Sequence, residues 1–351
     1  MKCLPLITLS LLTISPVIFA QTTRTTRVAT NRANNAGTIA EYDKVIAMDP
    51  KNAGAYFDRA QAKVKELRYG DAIADYTIAI AIKPDDAKSY NDRGNAKKKL
   101  ELYAESILDY DEALRINPKY KQVYHNRGNA KSELKEYKGA VEDYTQAILL
   151  DSAYTSAYTG RGLAEGNISM SQEAIADFTK AIALDAIFAE GYVYRALEKV
   201  KLNNITDALA DLDKALAINP QYARAYFERA QVKEKQGKIT DAIVDMDKAI
   251  LLNNDNARYH NLRGTYKMKI NLFNEAITDF DRAIEIRPEQ PEGYNSRGYA
   301  YYKLGITRDN YANAVVNYDL ATGLGKQAYK PVYEYREQAA LAMGKFTLGG
   351  K

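Results

Sequence analysis

The chain contains one cysteine, Cys3, two histidines and no tryptophan in 351 residues. A single thiol forms no internal disulfide. Cys3 stands before the N-terminal apolar run rather than after it, unlike a bacterial lipoprotein cysteine. His125 and His260 are far apart in the chain with no cysteine beside either, a pattern that argues against a transition-metal site. No phosphate loop, serine nucleophile motif or paired catalytic carboxylates occur. The net charge of +4 is mild and no basic block or recognition motif accompanies it, which argues against nucleic acid. A non-catalytic protein without a cofactor is expected.

The one long apolar run is N-terminal. Lys2 precedes Leu4 to Phe19, and Ala20 ends the run at a small residue. Residues 1–20 read as a secretory signal peptide, too short and too broken by proline for a confident membrane span. Cleavage would leave Gln21 first, with charge +4 − 1 = +3 and no thiol, compatible with a periplasm or the outside medium. The alternative is a retained N-terminal anchor, the one case in which membrane contact is expected. Residues 21–35, rich in Thr, Asn and Arg, read as a flexible linker. Arg24, Arg27 and Arg32 could touch an anionic surface, but a solvated leader is the stronger reading.

What fills the rest is a pattern of 34 residues written eight times. Counting from Ala53, the fourth position is Tyr56, Tyr90, Tyr124, Tyr158, Tyr192, Tyr226, His260 and Tyr294. The eighth is always Gly or Ala, as in Ala60, Gly94 and Gly128, and the twenty-seventh is Ala from Ala79 to Ala321. The twentieth is small, and the twenty-fourth is large (Tyr76, Tyr110, Tyr144, Phe178, Leu212, Met246, Phe280, Tyr318). Spacings of three and four place such residues on one helix face. Small positions let two helices approach and large ones fill the space beside the contact. Pro50, Pro84, Pro118, Pro220 and Pro288 stop the second helix. Ser152, Ala186 and Asn254 stand there in three repeats, where a less strongly specified turn is expected.

These marks resemble the tetratricopeptide repeat family, a helix-turn-helix unit of this length. The resemblance covers about residues 36–343. It implies an all-α, right-handed α-solenoid that binds a protein or peptide in a concave groove. Two departures are the lack of Trp at the fourth position and Arg, not the family's frequent Leu, at the seventh. The expected organisation is a half repeat at 36–52, marked by Thr38, Tyr42, Val45 and Pro50. Repeats follow at 53–86, 87–120, 121–154, 155–188, 189–222, 223–256, 257–290 and 291–328. The last carries a four-residue insertion in its turn, around Ile306 to Tyr311. A capping helix at 329–343, with a polar face of Tyr335, Arg336, Glu337 and Gln338, precedes a loose tail at 344–351.

A charged ladder runs through the array. The seventh position is Arg59, Arg93, Arg127, Arg161, Arg195, Arg229, Arg263 and Arg297. The twenty-third is Asp75, Asp109, Asp143, Asp177, Asp211, Asp245, Asp279 and then Asn317. A buried arginine needs an acid. Pairing across junctions, with Glu41 serving Arg59 and Asp279 serving Arg297, gives every arginine an acid, so pairs are expected to cross the junctions. Lysines recur at the eleventh and thirteenth positions, as in Lys63, Lys65, Lys97 and Lys99, and the fourth repeat breaks the row with Glu165, Gly166 and Asn167. They read as cations at a helix C-terminus in preference to a stripe for an acidic partner.

In the resembled family the second, fifth, ninth and twelfth positions of the first helix line the groove. Here that implies Lys88, Asn91, Asn95, Gln122, His125 and Asn129, with Asn126 beside them. Side-chain amides donate and accept at once and suit an extended peptide. The family's carboxylate clamp is matched only in part, since Asn91 replaces a lysine and Ser156 and Gly160 replace the other cations. Later repeats place Val193, Leu197, Val200, Phe227, Met268, Tyr299 and Tyr302 on the same lining, as a docking patch or as helix packing. Asn167-Ile-Ser and Asn204-Ile-Thr match the glycosylation acceptor pattern, meaningful only in a eukaryotic secretory pathway. The sequence assigns no oligomeric state.

Overall fold

The computed structural model describes residues 39–305, 307–324 and 330–348. Residues 1–20, expected as a signal peptide, residues 21–35, expected as a linker, and Thr38 therefore lie outside the described residues. Among those described there are helices and turns and no strand. A helix over 39–48, α1, comes first. First helices of the repeats are α2 (Ala53–Lys65), α4 (Ala87–Lys99), α6 (Lys121–Glu133), α8 (Thr155–Asn167), α10 (Ala189–Lys201), α12 (Ala223–Lys235), α14 (Ala257–Lys269) and α16 (Pro291–Leu304). Their partners are α3 (Tyr69–Ile82), α5 (Tyr103–Ile116), α7 (Tyr137–Leu150), α9 (Ser171–Leu184), α11 (Ile205–Ile218), α13 (Ile239–Leu252), α15 (Phe273–Ile286) and α17 (Arg308–Leu324). α18 (Lys330–Leu348) ends the series. The chain divides into two compact units, Met1–Ala164 and Glu165–Lys351. Each is a stack of helical hairpins.

Within a hairpin the turn has one form. The fifteenth residue takes positive φ at Leu67, Glu101, Lys135, Ser169, Asn203, Gly237 and Asn271. The next amide donates back to the carbonyl of the eleventh residue, as Arg68 does to Lys63 at 2.9 Å and Glu136 to Lys131 at 2.8 Å. This closes the helix through a left-handed residue, the geometry glycine favours. Six of these seven residues carry side chains, so the packing of the two helices holds a conformation that their own backbone disfavours.

The second helix stops at the same place with or without proline. The Asp151 and Asp185 amides donate to Ala147 and Ala181, and both residues are extended. Their carboxylates accept from the Ala153 and Ile187 amides at 3.0 and 3.2 Å. Asn117 and Asn219 make the same turn before Pro118 and Pro220, so this turn accompanies the stop with or without proline, and the stop is better specified than Ser152 and Ala186 suggest.

The core lies between paired helices. A Cβ added to Gly94 would lie 2.7 Å from the Tyr110 ring, and one added to Gly128 would lie 2.9 Å from Tyr144. That close approach explains the small eighth position and the fully buried alanines at the twentieth and twenty-seventh. Two expectations at the C-terminal end are corrected. Arg308 to Tyr311 of the insertion belong to α17, which lengthens by helix rather than by loop; Ile306 lies outside the described residues. α18 continues past Met343 to Leu348, so helix replaces most of the expected tail.

Candidate functional site

The position-7 arginines pair with the position-23 acids inside repeats, not across them. In α6 the Arg127 Nε and one terminal nitrogen donate to both carboxylate oxygens of Asp143, at 2.9 and 2.5 Å. Arg59–Asp75, Arg93–Asp109, Arg195–Asp211, Arg229–Asp245 and Arg263–Asp279 repeat this fork. In the last repeat Arg297 Nε donates to the amide oxygen of Asn317 at 2.7 Å. The expected cross-junction pairing with position 23 is therefore wrong, because a guanidinium has a third edge and the twenty-fifth position meets it. The other terminal nitrogen donates to Asp111 from Arg127 at 2.6 Å, and equivalently to Asp43, Thr77, Asp213, Asp247 and Asp281. Arg161 reaches Thr145 in the same way at 3.0 Å. Each such arginine thus holds its own hairpin and ties it to the preceding one. The signal lay in the Asp/Thr alternation at position 25. Carboxylate hydrogen bonds hold Arg59 and Arg195 above the ordinary arginine range, against the opposing effect of burial.

Two further groups complete the ladder. The position-11 lysines Lys63, Lys97, Lys131, Lys199, Lys233 and Lys267 pair with the same buried aspartates, at 2.6–2.8 Å. They are committed to the ladder, so only the position-13 lysines stay available for a basic stripe, and of these Lys201 and Lys269 pair with Glu198 and Glu234. Asp71, at the start of α3, pairs with Arg68. Seven arginines also lie 5.3–5.7 Å from the centroid of the position-4 tyrosine ring three residues earlier. His260 interrupts that series. It is buried, its Nε2 lies 3.0 Å from the Asn254 carbonyl, and burial pushes its pKa down.

The polar lining of the first unit is ordered by hydrogen bonds. The buried Tyr110 hydroxyl donates to the Asn95 amide oxygen at 2.9 Å, and Tyr144 does the same to Asn129 at 2.7 Å. Each tyrosine thus takes the amide oxygen and leaves the NH2 to donate elsewhere; that of Asn129 lies 3.4 Å from His125 Nδ1. The Asn126 amide donates to Asn91 at 3.1 Å, and Asn91 donates to Asp92 at 2.8 Å, which also accepts from Gln61 at 2.7 Å. Asn91 is itself buried, so it supports the lining more than it forms it. Burial, partly offset by Asn91 and Lys88, raises the Asp92 carboxyl above its usual range. Gln61 and Asp92 were not singled out in the sequence; Gln61 stands at the ninth, lining position of the first repeat, and position 6, where Asp92 stands, varies too widely between repeats to flag it. Burial, and then the nearby Lys98 charge, pushes His125 down to about 4. Its neutral ring rests against Tyr144 and Tyr154, with centroids 5.7 and 5.2 Å away. Lys88, over the Phe57 ring at 4.6 Å, and Gln122 are exposed.

In the second unit the apolar lining is mostly core. Val193 and Phe227 are buried, and Phe227 stacks on Tyr259 at 5.0 Å with Arg258 over its ring. Leu197 and Val200 pack against the α10–α12 cluster. These residues are helix packing, not an open patch. Tyr299 differs: with Thr265, Met268, Phe280, Asn295 and Tyr335 it lines a cavity of about 470 Å³. Tyr302 donates to Gln338 of α18 at 3.0 Å, and Arg336 pairs with Asp319. The face of α18 expected to be polar and free is therefore largely engaged with the last repeat.

Stacked helical hairpins with this register define a helical repeat protein. Three models of the tetratricopeptide repeat, described as "TPR repeat" or "Tetratricopeptide repeat", match residues 57–121, 121–154 with 223–256, and 196–237 with 267–305, together more than half of the chain. The chain belongs to the tetratricopeptide repeat family. No curated protein matches it. Among solved structures, a tetratricopeptide repeat protein from Parabacteroides merdae is 18% identical over 71% of this chain and 98% of its own, with a TM-score of 0.58. The pilF protein of Pseudomonas aeruginosa is 17% identical over 61% and 97%, with a TM-score of 0.52. A hetero-tetramer of the APC/C gives 15% identity over 85% and 58%, with a TM-score of 0.55. These likenesses concern the fold.

Proposed function

We propose that the protein is a non-catalytic scaffold that captures an extended peptide segment of a protein partner on the first-helix lining of repeats two and three. The orientation of Asn95 and Asn129 carries this reading. Their oxygens are taken by buried tyrosines, so the NH2 groups are what the two amides can offer a partner, that of Asn129 lying 3.4 Å from His125 Nδ1, on a lining that also holds Gln122 and Lys88. A row of fixed donors matches the carbonyl oxygens of an extended backbone. The Tyr299 cavity offers a second place, in the other unit, for an apolar side chain.

The scaffold is exported, a reading supported by Lys2, the apolar run Leu4–Phe19 and Ala20. Retention of that run would make it instead a membrane-tethered assembly factor of a cell-envelope complex. No described helix is long and apolar enough to cross a membrane. The test of capture is Asn95→Asp with Asn129→Asp. Aspartate keeps the acceptor each tyrosine needs and replaces the outward donor by an acceptor. Partner recovery from host extract falls at least about tenfold while the melting temperature holds; undiminished recovery would remove the asparagine row from the site.

A further inference from the structure

The described chain begins and ends in half a repeat. Among the described residues α1 comes first and has the register of a second helix, with Glu41, Tyr42 and Val45 at positions 23, 24 and 27. α18 has the register of a first helix and is the last helix among the described residues. Its Ala339 is buried against Ala314 and Tyr318, as Ala300 of α16 is buried at position 10. That register puts Arg336 at position 7.

Both ends show what is missing. Position 27 is at most 5% exposed in the full repeats, but Val45 is 40% exposed. The position-23 aspartates are buried, but Glu41 is exposed and makes no hydrogen bond or ion pair among the described residues. Arginine side chains at position 7 are 16–21% exposed where their ion pairs are described, and Arg336 is 42% exposed. Its fork, which elsewhere grips the position-23 acid, is turned onto Asp319, the position-25 acid of the preceding repeat.

We propose that α18 of one copy docks on α1 of a second copy, so that two half repeats complete each other and the chain associates head to tail. This goes beyond the capture role and does not depend on it. The occupant is a second copy because the two ends carry complementary groups: Arg336, whose only described acid is the position-25 Asp319, and Glu41, which has no described arginine. In the joint, Arg336 gives its fork to Glu41 and keeps Asp319 on its third edge, as Arg127 holds Asp143 and Asp111. Glu337 and Val45 stand where full repeats have Gly or Ala and Ala, so the joint is looser than a repeat. The association is accordingly weak, reversible and sensitive to salt. A contact of this heterologous kind extends to further copies unless its rotation closes a ring.

Sedimentation velocity of the full chain over a concentration series tests this. Weight-average mass rises with concentration and falls with added salt. Glu41→Arg and Arg336→Glu each weaken association at least about tenfold, because like charges then face each other. Mixing the two variants, or combining the changes in one chain, restores it, since opposite charges meet again. Circular dichroism stays that of the parent. A monomer at every concentration, single variants that associate like the parent, or a mixture that stays apart would each overturn the proposal. Loss with Arg336→Glu but not with Glu41→Arg would show α18 pairing with itself, which also overturns it.

Discussion

Removing Arg127 tests the ladder most sharply. The Arg127→Ala change deletes the fork on Asp143, the 2.6 Å link to Asp111 and the stacking on Tyr124 at 5.6 Å. Asp143 is 3% exposed and would keep only Lys131, at 2.8 Å. Leaving a buried charge without its partner costs about 3–5 kcal/mol. The remaining lysine and the 18% exposure of Arg127 bring the expectation to about 2–4 kcal/mol. Asp111 is half exposed, so Asp111→Ala, which removes only the junction edge, should cost under about 1 kcal/mol. Repeat arrays unfold in parts, so one global free energy is a poor readout. Hydrogen exchange, resolved by hairpin, is the assay. Arg127→Ala should lower protection throughout α6 and α7, and Asp111→Ala should leave it nearly intact. Equal effects would show that the junction edge, not the buried fork, holds the array.

Three other substitutions are informative. His260→Tyr restores the ring that the other arginines of the series stack on, and should raise stability by about 0.5–1 kcal/mol in urea unfolding, with no gain counting against the stacking. Leu67→Gly relieves a left-handed, solvent-exposed residue at φ 63° and should stabilise the first hairpin by up to about 1 kcal/mol net of glycine's entropy, read as slower hydrogen exchange in α2 and α3. His125 is held neutral in the fold, so the unfolded chain binds the extra proton between pH 6.5 and about 4. Stability from this residue is fully present above pH 6.5 and is lost as pH falls, at up to about 1.4 kcal/mol per pH unit. His125→Asn should flatten that part of the stability profile; an unchanged slope would place the titration elsewhere.

The hairpins were legible because helix packing imposes short-range rules. Gly94 answers the Tyr110 ring, which a Cβ at that place would meet at 2.7 Å. The left-handed turn was not legible, since Leu67, Glu101 and Lys135 carry no sign of positive φ and tertiary packing holds them there. The ladder was half legible. Arginine and aspartate stood out, but one guanidinium serves two acids, and a scheme of single pairs selected the wrong one. The groove was least legible. Val193 and Phe227 occupy lining positions by count yet are buried by neighbouring helices, and Asn95 gains its role only through the hydroxyl of Tyr110.

The scaffold role rests on where a partner touches the chain. Photoreactive residues placed singly at Gln122, on the first-helix lining, and at Leu149, exposed on the second helix of the same repeat, measure that directly in the native host. The proposed function predicts one protein partner cross-linked from Gln122 through a single peptide segment, and no such product from Leu149. Equal capture from both positions, or capture from Leu149 alone, would contradict it.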